Sequence, residues 1–137
     1  MEIQKISGKK CSCGRVHQIP IKDVIIEENA LDQAAELIKK TTNQRKIYLT
    51  LDQNTKKAAG AELKEKLLNA DFEVEEILLK EREGDDHLVP EPGALYKIIE
   101  KIEHDGYILA CGSGSINDLT AYAAHKMQLP YSIVATA

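Results

Sequence analysis

Hydrophobic and polar positions along this 137-residue chain follow two alternating patterns. Short apolar or β-branched runs predict strands, and apolar positions that recur every three or four residues predict helices. The predicted strands are Asp23–Glu27, Ile47–Leu51, Phe72–Leu79, Tyr107–Ala110 and Tyr131–Val134. The predicted helices are Ala30–Lys40 with Asn29 as its N-cap, Thr55–Asn69, one marked by Leu95, Ile98, Ile99 and Ile102, and one marked by Ile116, Leu119, Ala123 and Met127.

Strands that alternate with helices predict an α/β fold, here a three-layer, Rossmann-like domain with a mostly parallel sheet and helices on both faces. We expect a polar N-terminal arm at residues 1–19 and one domain at residues 20–137. In such sheets the ligand binds beyond the carboxyl ends of the strands. Three polar turns should share that end of the sheet, namely Asp52–Thr55, Gly112–Ser115 and Ala135–Ala137.

The turn Gly112–Ser115 leads from a predicted strand into a predicted helix. Glycine permits positive φ and the close approach of a ligand, and the first turn of a helix leaves backbone N–H groups without partners. The turn could therefore bind a phosphate, with the hydroxyls of Ser113 and Ser115 as further donors. It lacks the third glycine of the dinucleotide fingerprint, since Asn117 stands there, and it is not a P-loop. A turn that needs glycine for geometry alone is an equal alternative.

Asp52 directly follows the strand Ile47–Leu51, where a carboxylate can accept hydrogen bonds from both hydroxyls of an adenosine ribose. It precedes the glycines, whereas the ordinary dinucleotide order places the glycines first. Asp52 and Asn54 could instead cap the next helix or form an Asx turn. Asp118 could simply favour the dipole of its helix. No recognisable catalytic motif is present, so no catalytic residue is predicted.

Composition excludes several classes of protein. The net charge is −4 and aromatic residues make up 4%, so nucleic-acid binding has no support. No apolar run approaches the roughly 20 residues of a membrane span, and Met1–Lys5 does not resemble a signal peptide. The odd number of cysteines favours the reducing cytoplasm. Cys11, Cys13 and His17 could hold zinc, but Cys-x-Cys is tighter than the usual spacing and no fourth ligand is near, so a flexible polar arm is preferred.

Three segments resemble the N-terminal part of the sn-glycerol-1-phosphate dehydrogenases, in the superfamily of iron-containing alcohol dehydrogenases, glycerol dehydrogenases and dehydroquinate synthases. They are Ile47–Thr55, Gly112–Asp118, and Leu129–Tyr131 followed by Ala135–Ala137. The form Gly-Ser-Gly-x-Ile-x-Asp favours the glycerol-1-phosphate branch. The resemblance extends from about Ile19 to Ala137 and implies a dehydroquinate synthase-like N-terminal domain. Cys11–His17 also resembles the start of some bacterial members.

The resemblance implies binding of NAD or NADP, with the pyrophosphate on Gly112–Ile116, the ribose on Asp52, and Thr136 and Ala137 beside the nicotinamide. The reaction implied is reversible hydride transfer between NAD(P)H and dihydroxyacetone phosphate, with zinc or nickel polarising the ketone. The charge of Asp52 favours NAD, although Lys56 and Lys57 could offset it. The cofactor-binding residues implied are Asp52, Asn54, Gly112, Ser113, Gly114, Ser115, Ile116, Asp118, Thr136 and Ala137.

The family's metal ligands, an Asp and two His, lie in a helical domain that this sequence does not contain. We therefore expect a truncated chain or a gene fragment that folds and binds the dinucleotide but does not catalyse. Exposed apolar surface near Gly112 and Ile133 should then favour a homo-oligomer. Two alternatives are a fragment of a glycerol or alcohol dehydrogenase or dehydroquinate synthase, and a stand-alone nucleotide-binding module.

Overall fold

The computed structural model describes residues 7–80, 84 and 88–136. The role predicted for Ala137 lies outside these residues. The chain forms two compact units, one up to Leu31 and one from Asp32 onward, and each is considered by itself. The boundary predicted between residues 19 and 20 stays a prediction. No helix in the described ranges is long and apolar enough to cross a bilayer.

The order of helices and strands follows the predicted alternation. The elements are α1 (Ala30–Thr41), β1 (Lys46–Leu51), α2 (Gln53–Thr55), a π-helical stretch (Lys56–Gly60), α3 (Ala61–Asn69), β2 (Glu73–Leu78), α4 (Pro92–Lys101), β3 (Tyr107–Cys111), α5 (Gly114–Met127) and β4 (Tyr131–Val134). The predicted helix Thr55–Asn69 thus corresponds to three consecutive helical segments.

The prediction of a strand at Asp23–Glu27 is wrong, because these residues form no regular element. Ile26 exposes 78% of its surface. The Asp23 carboxylate accepts a hydrogen bond from the Val24 amide, at 2.8 Å. β-branched residues favour strands only where they can pack on a sheet, and the four-stranded sheet described below does not include this segment.

The four strands form one parallel sheet in the order β2-β1-β3-β4. In the central pair, Leu49 of β1 lies opposite Leu109 of β3. All residues of β3, and all but the first of β1, are buried. The two solid apolar runs therefore occupy the centre of the sheet, as expected for strands covered on both faces.

Helices cover both faces of the sheet. On one face, Tyr48 and Ile108 pack in a core with buried residues of α4 and α5, among them Ile98 and Ala123. Alternate residues of the strands face the other side. There the π-helical stretch approaches so closely that a Cβ on Gly60 would lie 3.0 Å from a Leu51 methyl carbon. The predicted three-layer α/β architecture is confirmed.

Glu76 links β2 to the helical segment that follows β1. Its carboxylate binds the Nζ atoms of Lys56, at 2.5 Å, and Lys64, at 3.3 Å, and its side chain is 15% exposed. Burial raises the pKa of Glu76, but the hydrogen bonds from Lys56 and Lys64 outweigh burial and hold that pKa below its usual value. The ionised carboxylate therefore stabilises the fold.

Glu76→Gln is expected to lower the free energy of unfolding by about 1 kcal/mol at neutral pH, allowing for the partial exposure of both lysines. Because the folded-state pKa is lowered, this stabilisation is complete above the ordinary glutamate pKa of about 4.3 and is lost as the pH falls through the folded-state value. Urea unfolding of both proteins across this pH range measures it. Glu73→Gln, at an exposed position on the same strand, is the control. If the difference in unfolding free energy between the wild type and Glu76→Gln persists in acid, the ionised carboxylate of Glu76 is not its source.

Candidate functional site

The order of the strands creates a crevice between β1 and β3. The chain passes from β1 outward to β2 and then crosses back to β3 on the other side of β1. Ligands of parallel sheets bind at such a reversal, beyond the carboxyl ends of the strands. Asp52 directly follows β1 and Gly112 directly follows β3, so both lie at this point.

A cleft of about 180 Å³ is present at this end of the sheet. Its volume is below the roughly 300–1,000 Å³ of complete ligand pockets, so it can enclose only part of a large ligand. The prediction that the three turns share one end of the sheet is confirmed for the described residues. The residues that line the cleft are Asp52, Asn54, Thr55, Leu88, Ser113, Ser115, Ile116 and Thr136.

Asp52 caps the helix that starts at Gln53. Its Oδ1 accepts a hydrogen bond from the Thr55 amide, at 2.7 Å, while the Thr55 hydroxyl accepts one from the Asp52 amide, at 3.0 Å. This reciprocal pair is a capping box. The alternative structural role of Asp52 is therefore confirmed. Within the described part of the chain Oδ2 has no protein donor, so the carboxylate can cap the helix and still accept a hydrogen bond from a ligand.

The bend after β3 requires glycine at its first position. Gly112 has a φ of +154°, and a Cβ there would lie 2.9 Å from Cβ of Ile116. Its amide donates to the Val134 carbonyl, at 2.9 Å, and the Ile116 amide donates to the Ser113 carbonyl, at 3.2 Å. Two of the five amides from residue 112 to residue 116 are therefore already used.

The other three amides of the bend remain available. Those of Ser113, Gly114 and Ser115 have no backbone acceptor among the described residues, and the Ser113 side chain makes no capping hydrogen bond. Gly114 has a φ of +46°, and a Cβ there would meet no atom within 4 Å. Unpaired amides at the start of the 14-residue helix α5, in a bend whose Ser113 and Ser115 line the cleft, are the features of an anion site.

Not every predicted site residue reaches the cleft. Asp118 is exposed on α5 and does not line it, so its role stays a prediction. Gly112 and Gly114 shape the bend without lining the cleft. Sequence reasoning missed Thr55 and Leu88 as lining residues. The Asp-x-x-Thr spacing could have indicated Thr55 as a capping partner, whereas nothing distinguishes Leu88 in its charged loop.

Two titratable groups near the site, the buried Cys111 and the partly buried Tyr131, are neutral at physiological pH. Burial, followed by the negative charge of Asp52, raises the pKa of the Cys111 thiol to about 11. Cys111 is therefore neither a nucleophile nor a metal ligand in its protonated state. Burial, followed by the charge of Asp118, raises the pKa of Tyr131 to about 12. The Tyr131 hydroxyl donates to Oδ1 of Asn117, the residue that stands where the dinucleotide fingerprint has its third glycine. This hydrogen bond links β4 to α5.

Comparisons with known proteins agree with this architecture. A family model for iron-containing alcohol dehydrogenases matches residues 25–137. The chain is 29% identical over 119 residues to a glycerol-1-phosphate dehydrogenase (NAD(P)+) of Bacillus subtilis (strain 168), covering 87% of this chain and 30% of that enzyme. It is 26% identical over 120 residues to a 3-dehydroquinate synthase of Clostridium botulinum, covering 82% of this chain and 34% of that enzyme.

A solved structure also has this fold. The glycerol dehydrogenase from Schizosaccharomyces pombe superposes with a TM-score of 0.66 at 21% identity, covering 84% of this chain and 29% of that one. This supports the predicted dehydroquinate synthase-like fold. The chain spans about a third of the length of the curated relatives it matches. Because the family match covers most of the residues, this chain belongs to the iron-containing alcohol dehydrogenase family.

Proposed function

We propose that this chain is the cofactor-binding domain of an NAD(P)- and metal-dependent glycerol-1-phosphate dehydrogenase, which interconverts dihydroxyacetone phosphate and sn-glycerol 1-phosphate. The observation that carries the proposal is a single cleft containing a carboxylate, from Asp52, and residues of a bend with three available amides, Ser113 to Ser115. The names of relatives such as the Bacillus subtilis enzyme support the same reaction.

The two halves of the cleft suit the two polar parts of an adenosine diphosphate. The amides of residues 113–115 and the positive end of the α5 dipole bind the negatively charged diphosphate. The hydroxyls of Ser113 and Ser115 add donors. Asp52 accepts hydrogen bonds from the ribose through Oδ2 while Oδ1 caps the helix. Thr136 lines the same cleft. In this proposal it would border the nicotinamide.

The bound nicotinamide would supply the hydride, and a divalent metal would polarise the ketone. Among the described residues, the one group of three side chains that could hold a metal is Cys11, Cys13 and His17, and none of these lines the cleft. We therefore propose that the chain by itself binds the cofactor without reducing dihydroxyacetone phosphate. Metal-dependent turnover by the purified chain would refute this part.

The 3-dehydroquinate synthase relative supports a second candidate, in which the same cleft serves that activity. Both candidates assign the same role to Asp52 and to the bend, so a measurement of cofactor binding supports them equally. Turnover of dihydroxyacetone phosphate by any protein that contains this cleft would favour the first candidate.

The experiment that tests the proposal is titration of the chain with NADH, followed by the fluorescence of the nicotinamide. We expect saturable binding at one site with a Kd between about 1 μM and 1 mM, the common range for substrates and cofactors. ADP-ribose should compete, because the contacts proposed for Asp52 and the bend are with the adenosine half. Absence of saturable binding by NADH, NADPH and ADP-ribose would overturn the proposal.

A further inference from the structure

The first unit contains a small hairpin near its N-terminus. Lys10 and Val16 pair as an antiparallel bridge. The Cys11 amide donates to the Arg15 carbonyl, at 2.8 Å, and the Gly8 amide donates to the His17 carbonyl, also at 2.8 Å. These hydrogen bonds give the segment from Gly8 to His17 a hairpin backbone.

The turn of this hairpin accounts for its unusual cysteine spacing. The Gly14 amide donates to the Cys11 carbonyl, at 2.9 Å, and Gly14 has a φ of +84°. The chain therefore reverses within Cys11–Gly14. This reversal brings His17 back toward the two cysteines, so the Cys-x-Cys pair and the histidine four residues later can converge.

The three soft ligand atoms converge closely. Sγ of Cys13 lies 3.0 Å from Nε2 of His17. Both sulfur atoms and the imidazole nitrogen lie within 4.8 Å of one another. Bond lengths of about 2.3 Å for Zn–S and 2.0–2.1 Å for Zn–N place the ligands of one tetrahedral ion roughly 3.5–3.8 Å apart. Small rotations of these exposed side chains would complete that geometry.

We propose that Cys11, Cys13 and His17 bind one zinc ion, with a water molecule at the fourth position. Two thiolates and one imidazole form a ligand set that selects zinc over magnesium or calcium, which prefer oxygen ligands. The ion would cross-link the two sides of the hairpin. This site lies in the first unit, and none of its three ligands is a residue proposed to bind the cofactor.

The test uses the full chain, reduced and stripped of metal with a chelator. Zn²⁺ is titrated against a chromophoric chelator, and Co²⁺ is added separately so that thiolate-to-cobalt charge-transfer absorption reports sulfur ligation directly. We expect one metal ion per chain. Cys11→Ser, Cys13→Ser and His17→Gln should each lower zinc affinity more than about a hundredfold, because even loss of an outer-shell partner commonly costs 10–100-fold.

Two control variants should keep wild-type zinc affinity. Lys9→Gln changes an exposed residue close in sequence to the three ligands, and His125→Gln removes an exposed histidine of α5. NADH affinity measured on every variant separates this proposal from that for the cleft, and it should not change. The zinc proposal is overturned if the reduced chain binds no stoichiometric zinc, if the ligand variants bind as well as the wild type, or if one ion is shared by two chains.

Discussion

Replacing Gly112 with alanine is expected to lower the free energy of unfolding by about 3 kcal/mol. A positive φ at a residue with a side chain costs roughly 1–3 kcal/mol, and overpacking costs a similar amount. The new methyl group would lie 2.9 Å from Cβ of Ile116, an atom that cannot move without its helix. The amide that bonds to Val134 would shift too, so cofactor binding should be lost with the stability.

Thermal unfolding monitored by circular dichroism measures the effect, and the midpoint should fall by about 10 °C for a chain of this size. The matched control is Gly93→Ala in α4, where a Cβ would meet only a Glu91 carboxylate oxygen at 3.8 Å. That change should leave stability unchanged or slightly higher, because alanine favours helices. If both variants melt within about 2 °C of the wild type, the strain assigned to the bend is absent.

Replacing Asp52 with asparagine is expected to weaken NADH binding about tenfold with little change in stability. Asparagine caps helices as well as aspartate does, so the hydrogen bond to the Thr55 amide should survive. The charge is lost, and a hydrogen bond to a charged group is worth about 1.5 kcal/mol more than a neutral one, close to a factor of ten. Asp52→Ala should lose about 1 kcal/mol of stability as well.

Titration of the Asp52 variants with NADH and with NADPH tests both the proposed contact between Asp52 and the ribose and the preference between the two cofactors. The carboxylate of Asp52 should repel the 2′-phosphate of NADPH. Lys56 could have offset this repulsion, but it is bound to Glu76. Asp52→Asn removes the repulsion and should therefore bring the affinities for NADH and NADPH closer together. The control is Asp105→Asn, at an exposed position before the amino end of β3. If Asp52→Asn binds NADH as tightly as the wild type does, the role of Asp52 is limited to helix capping.

The sequence predicted the central strands because Tyr107–Ala110 and Ile47–Leu51 are hydrophobic at every position except Thr50, which is buried with its neighbours. The sheet contains both segments. Asp23–Glu27 is rich in β-branched residues, yet the four-stranded sheet does not include it, which the local pattern cannot reveal. The π-helical stretch Lys56–Gly60 was not predicted either. It ends at Gly60, where an added Cβ would lie 3.0 Å from Leu51 on the sheet.

The site was predictable to the level of its turns but not of individual atoms. Strand ends and glycines indicated that Asp52 and Gly112 share one end of the sheet, and the cleft agrees. Which amides stay available depends on Val134, a residue far along the chain whose carbonyl takes the Gly112 amide. The sequence offers helix capping and ligand binding as alternatives for Asp52, whereas in the structure one carboxylate oxygen caps the helix and the other is left for a ligand.

The two edge strands of the sheet, β2 and β4, differ in how readily they could pair with an additional strand. β2 carries Glu73, Glu75 and Glu76, whose charges oppose pairing with a neighbour. β4 has the sequence Tyr-Ser-Ile-Val, without charge, and its Ile133 is 41% exposed. Growth of the sheet by another segment or a second copy is therefore favoured only on the β4 flank. The carbonyl of Val134 in β4 accepts the hydrogen bond from the Gly112 amide. A strand that paired with β4 would therefore also restrict the motion of the bend after β3.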